Sequence, residues 1–121
     1  MTLKDNFVFI IEDDDFLGDI FSKALEGMCT SEVIKDGLVA LKRLEEIAPN
    51  LIVLDLNLPG VGGEKILDAI RSNPALRSAH VIVCTANALK AELLRDSAEI
   101  VMLKPVNPIQ LREIASRFLA L

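Results

Sequence analysis

Five short runs of β-branched and aliphatic residues, each too short for a helix, alternate along the chain with segments whose apolar residues recur at helical spacing. The runs at residues 7–11, 31–34, 51–54, 81–84 and 100–103, each bounded by polar or turn-forming residues, predict five strands. Between them, Phe16, Ile20, Phe21, Ala24, Leu25 and Met28 share one helical face, as do Leu38, Leu41 and Leu44 in the next segment and Ile66, Leu67 and Ile70 in the third. The fourth segment, roughly residues 89–97, is short and weakly patterned. In the fifth, Asn107 reads as an N-cap, Pro108 as the first helical residue and Gln110 as a side chain reaching back, followed by Ile114 and Phe118.

A strand followed by a helix, five times over, requires a parallel sheet with right-handed crossovers. Strands that are apolar on both sides also need helices on both faces. The expected fold is therefore α/β: a flavodoxin-like (βα)5 doubly wound sandwich on a five-stranded parallel sheet in the order 2-1-3-4-5. Turn signals at Asp36-Gly37, Pro49-Asn50, Pro59-Gly60 and Asn73-Pro74 fall between elements, with no repeat or low-complexity tract. At 121 residues the chain has the size of one domain, and a single domain over residues 1–121 is expected.

Charge and composition exclude several classes of function. A net charge of −5 argues against direct nucleic-acid binding, which selects clustered Lys and Arg. The N-terminal lead carries Lys4 and Asp5 and runs into only five apolar residues, far short of a signal peptide or a membrane span, so a cytoplasmic protein is expected. Cys29 and Cys84 lack partners at metal-binding spacing and read as buried or incidental thiols. His80, the one histidine, reads as a strand-edge side chain. There is no Tyr or Trp.

In doubly wound sheets ligands bind beyond the carboxyl ends of the strands, so the residues that close each run carry the information. The first run leads into Glu12-Asp13-Asp14-Asp15, the third into Asp55, the fourth into Thr85 and the fifth into Lys104. Two carboxylates about 4 Å apart repel by roughly 4 kcal/mol at an effective dielectric near 20, so Glu12, Asp13 and Asp55 together call for a cation. Oxygen ligands with open positions favour Mg²⁺. Lys104 adds a compact positive charge opposite Asp55, and Thr85 adds a hydroxyl donor. Together they describe a site that holds a phosphoryl group, since phosphoryl transfer needs chiefly a nucleophile, a metal and cationic stabilisation. Asp14 or Asp15 reads instead as a helix cap.

The segments Ile10-Ile11-Glu12-Asp13-Asp14, Leu51 through Asp55 to Leu58-Pro59-Gly60, Thr85-Ala86 and Leu103-Lys104-Pro105 resemble the receiver domains of two-component response regulators, over almost the whole chain. The resemblance implies that Asp55 is the phosphoacceptor, that Glu12 and Asp13 are Mg²⁺ ligands beside it, and that Asn57 is a ligand through its backbone carbonyl. It further implies that Thr85 binds a phosphoryl oxygen, that Lys104 pairs with it, and that Lys104-Pro105 is cis. The expected function is a phosphorelay switch rather than an enzyme, with only its own phosphorylation and slow autodephosphorylation as chemistry. The expected partners are a sensor histidine kinase or histidine phosphotransfer protein and an output partner or domain. A homodimer is also open to it, and no membrane contact is expected.

Two other classes of function fit the residues less well. A haloacid-dehalogenase-like phosphatase wants a second acid two residues after the nucleophile, where this chain has Asn57. A receiver-like docking module that is never phosphorylated would have no need of the acidic cluster. The chain also departs from the family pattern: Val101 stands where an aromatic residue usually precedes the lysine by three, Val106 replaces a common Phe, and the stretch from Thr85 to Lys104 is shorter than usual. An activation route without an aromatic rotamer change is therefore expected.

Overall fold

The computed structural model describes residues 6–119; Lys4 and Asp5 of the N-terminal lead, and residues 120–121, lie outside them. The elements run β1 (Phe7–Ile11), α1 (Asp15–Ala24), β2 (Thr30–Ile34), α2 (Gly37–Glu46), β3 (Leu51–Asp55), α3 (Gly63–Ser72), β4 (His80–Thr85), α4 (Ala88–Leu93), β5 (Ile100–Leu103) and α5 (Pro108–Ser116), with one 3-10 turn at Pro74–Leu76. All strand pairs are parallel, as the alternation requires, and the sheet order is β2-β1-β3-β4-β5, that of the expected flavodoxin-like sheet.

The pleat sends alternate strand residues into two separate cores. Phe9, Ile11, Ile52, Leu54, Val81 and Val83 pack with Ala40 and Leu44 of α2 and Ile66, Leu67 and Ile70 of α3. Val8, Ile10, Leu51, Val53, Ile82 and Cys84 face the other way, onto Phe21 of α1 and Leu111, Ile114 and Ala115 of α5. Both faces of the three central strands are thus dry, which is why those strands read as continuous apolar runs.

Helix rotation corrects the expected faces in two places. Phe16 is 72 % exposed, because the buried stripe of α1 is centred on Phe21 and a five-residue step turns the side chain by about 140°. Leu38 is 54 % exposed in the first turn of α2, about 120° from Leu44, and Ala40 occupies the core position instead. The fourth helix is shorter than residues 89–97: it closes at Leu93, and the carbonyl of Ser97 accepts from Arg71 Nε at 2.8 Å. In α5, Asn107 Oδ1 accepts from the backbone amides of Ile109 and Gln110, so Gln110 serves the cap through its main chain. Phe118 lies beyond α5, with its ring 4.9 Å from that of His80.

Candidate functional site

Main-chain bonds that continue the sheet set the positions of the strand-end residues. Asp55 and Thr85 are themselves the last residues of β3 and β4, one residue further into the strands than the apolar runs indicate. Beyond the strand ends, the amide of Glu12 donates to Ile34 O at 2.9 Å, and that of Lys104 donates to Thr85 O at 2.8 Å. The side chains of Glu12, Asp55, Thr85 and Lys104 therefore project from backbone already held by neighbouring strands. The Lys104-Pro105 peptide is cis. Behind Asp55, Gly63 opens α3 so close to the strand end that a Cβ there would meet Leu56 Cα at 2.5 Å and Asp55 O at 2.6 Å.

Glu12, Asp55 and Thr85 are buried, whereas Asp13 is exposed, so the site is a cup with one open side. One carboxylate oxygen from each of Glu12, Asp13 and Asp55 lies within 4.8 Å of the others. Lys104 Nζ sits 3.0 Å from Asp55 Oδ1 and 3.6 Å from Glu12 Oε1. Asp55 Oδ1 also accepts from the Asn57 amide at 3.1 Å, which holds the loop after β3 against the carboxylate. Glu12 Oε2 accepts from the Asp14 amide at 3.3 Å, but among the described residues Glu12 Oε1 is buried without a hydrogen-bond partner. Asp14 caps α1 through Leu17 N.

Three carboxylates facing one ammonium leave an excess of negative charge, and the titration behaviour follows. Burial, and then the charge of Asp55, push the Glu12 carboxyl from its ordinary 4.5 up to about 7. Burial alone would lower the Lys104 ammonium, but its bond to Asp55 and the charges of Asp55 and Glu12 outweigh that, and the net shift is upward. An all-oxygen donor set with one unsatisfied buried carboxylate oxygen fits a hard divalent cation, which would take up that oxygen and the surplus charge together.

Thr85 Oγ1 accepts from the Asn87 amide at 3.1 Å, a bond that leaves the hydroxyl proton available for an oxygen anion. Leu56, Asn57, Thr85, Ala86, Asn87 and Lys90 line a cavity of about 270 Å³ between the loops that follow β3 and β4. Lys90 had no sequence signal: it is one lysine on a short helix, and only tertiary packing puts it in the same cavity as Asn57 and Thr85.

Of the remaining candidates, Cys84 is buried in β4 in register with Asp55 but on the face of the α1–α5 core, and none supplies a reactive group to this site. Burial pushes the Cys84 thiol up to about 12 and raises that of Cys29, so neither is a ready thiolate. His80 begins β4 at the opposite end of that strand from Thr85, with Nδ1 3.6 Å from Glu99 Oε1. No helix among the described residues is long and apolar enough to cross a membrane.

The family model for the response regulator receiver domain matches residues 8–116. Among relatives, the chain is 32 % identical over 89 residues to protein-glutamate methylesterase/protein-glutamine glutaminase 5 of Myxococcus xanthus, covering 71 % of this chain and 25 % of that protein. It is 29 % identical over 109 residues to the DNA-binding response regulator MtrA of Mycolicibacterium paratuberculosis, covering 86 % of this chain and 47 % of that one. The chain thus spans less than half the length of either relative. Among solved structures, the Mn(2+)-bound form of response regulator Rcp1 superposes with a TM-score of 0.78 at 25 % identity, covering 93 % of this chain and 90 % of that chain.

Proposed function

Because the chain belongs to the response regulator receiver domain family, and is a phosphoacceptor module of two-component signalling, we propose that Asp55 is the residue that takes the phosphoryl group. The observation that carries this reading is the placement of Asp55: buried at the end of β3, 3.0 Å from the Lys104 ammonium and within one cluster with Glu12 and Asp13. In the reaction an Asp55 carboxylate oxygen attacks phosphorus, an O–P bond forms, the P–N bond of a phosphohistidine donor breaks, and the imidazole leaves. Thr85 and Lys104 donate to the phosphoryl oxygens, stabilising charge as it shifts.

Glu12, Asp13, Asp55 and the backbone carbonyl of Asn57 would hold Mg²⁺. When bound, the ion supplies the positive charge that lets a carboxylate and a phosphoryl group approach each other. That Rcp1, a response regulator of similar fold, has an Mn(2+)-bound form supports a divalent ion as ligand.

The donor is a sensor histidine kinase or a histidine phosphotransfer protein, and the phosphorylated domain changes the surface it offers to an output partner, an output domain or a second copy of itself. Residues 1–121 act as one receiver domain in the cytoplasm, without direct contact to nucleic acid or membrane. Its own phosphorylation and slow autodephosphorylation are its only chemistry; the esterase named for the Myxococcus xanthus relative is that protein's. Incubation with acetyl phosphate and Mg²⁺ should add the mass of one phosphoryl group, and Asp55→Asn should abolish the gain. Undiminished labelling of that variant rejects the assignment.

A further inference from the structure

Lys90 and Glu64 connect the first turns of two helices that flank the phosphoryl site. Lys90 Nζ lies 2.6 Å from Glu64 Oε1, and both side chains are about half exposed, at 49 % and 51 %. Lys90 is the third residue of α4 and Glu64 the second of α3, so the pair bridges the elements that follow the Asp55 and Thr85 loops. On its other side Lys90 lines the cavity of about 270 Å³ shared with Asn57 and Thr85.

The cations in this region have different commitments. Lys104 is held by two buried carboxylates, Asp55 and Glu12, and cannot turn outward to meet an arriving donor without leaving them. Lys90 is bound to one half-exposed carboxylate on a flexible stem, a weak pair that exchanges readily with solvent and with other anions. An anion entering the cavity meets that ammonium and competes with Glu64 for it. The competition favours a phosphoryl group with two negative charges over one with a single net charge.

We propose that Lys90 is an entry contact for the phosphodonor, with Glu64 as its competitor, and that the pair makes the site selective for doubly anionic donors. This rests on Asp55 being the phosphoacceptor. The test compares two small donors under Mg²⁺ and low salt near neutral pH: acetyl phosphate, a dianion, and phosphoramidate, whose net charge is one less negative. Lys90→Gln should slow phosphorylation by acetyl phosphate and Glu64→Gln should speed it, each on the order of two- to fivefold, as befits one half-exposed charge. Phosphoramidate rates should change less, and the differences should shrink at high salt. The double variant should behave like Lys90→Gln alone.

Equal effects on both donors, or none, overturn the proposal, as does a double variant that retains the gain of Glu64→Gln. Asp55→Asn, run alongside, separates the two ideas: if it abolishes labelling while Lys90→Gln matches wild type, only the entry contact fails. If it is labelled as well as wild type, the site assignment itself fails.

Discussion

The Lys104 ammonium lies 3.0 Å from Asp55 Oδ1, a bond between the strand end of β3 and the residue just past β5 that spans the intervening β4. It draws three strand ends together in a site that otherwise repels itself. Lys104→Met should therefore destabilise the metal-free protein by roughly 1–3 kcal/mol, less than the roughly 3–5 kcal/mol for breaking a fully buried pair, because Lys104 keeps some exposure. Mg²⁺ should recover part of that loss, since it supplies the missing positive charge. Chemical denaturation with and without Mg²⁺ measures both; equal stability of wild type and variant in chelator would refute the argument.

Glu12 should link metal binding to pH. Its folded-state pKa of about 7 lies above the ordinary 4.5, so between these values this group holds more of its proton in the folded chain than in the unfolded one. Stability from this group is full below about 4.5 and is lost as pH rises to about 7, by up to roughly 3 kcal/mol without metal. Measured as the difference between wild type and Glu12→Gln in chelator, the slope should be negative across that window. Mg²⁺ held at this cluster would favour the ionised form, so its stabilising effect should grow with pH over the same range. A wild-type-minus-variant difference that rises with pH in chelator would be the wrong sign.

Gly63→Ala tests whether close packing behind Asp55 sets the geometry of the site. The added methyl would press on Leu56 Cα and Asp55 O, both main-chain atoms that cannot rotate away. Overpacking of this kind costs roughly 1–3 kcal/mol. The variant should melt earlier, and its Mg²⁺ affinity should fall because Asp55 is displaced. Unchanged melting together with unchanged Mg²⁺ affinity would show that the loop yields freely.

Activation should proceed without an aromatic swing at β5. Val101 is partly buried against the core on the α2–α3 side, and its β-branched side chain has no ring to turn inward. The bias toward the active state must come from contacts of the phosphoryl group with Thr85 and Lys104. Beryllofluoride with Mg²⁺ should shift backbone amide resonances mainly in the loop after Thr85 and near Lys104. Changes centred on Phe118, whose ring packs against His80 at the far end of β4, would contradict this route.

The fold was legible because its determinants are local and repeated. Apolar runs of strand length, helical spacing between them, and caps such as Asn107-Pro108 each act within a few residues, and together they call for a doubly wound parallel sheet. The strand-end residues could be read for the same reason: once the order of elements is known, Glu12, Asp55, Thr85 and Lys104 must reach the same edge of the sheet. Only the tertiary structure decided how the helices turn on that sheet and which charges meet. Phe16 and Leu38 satisfy the helical period yet face outward, because rotation about a helix axis is chosen by the packing of the whole face. The pairing of Lys90 with Glu64 is likewise silent in the sequence, where each is an ordinary charged residue on its own helix. An ion pair between helices far apart in the chain depends on the register of β3 and β4 beneath them, and no local pattern of residues encodes that distance.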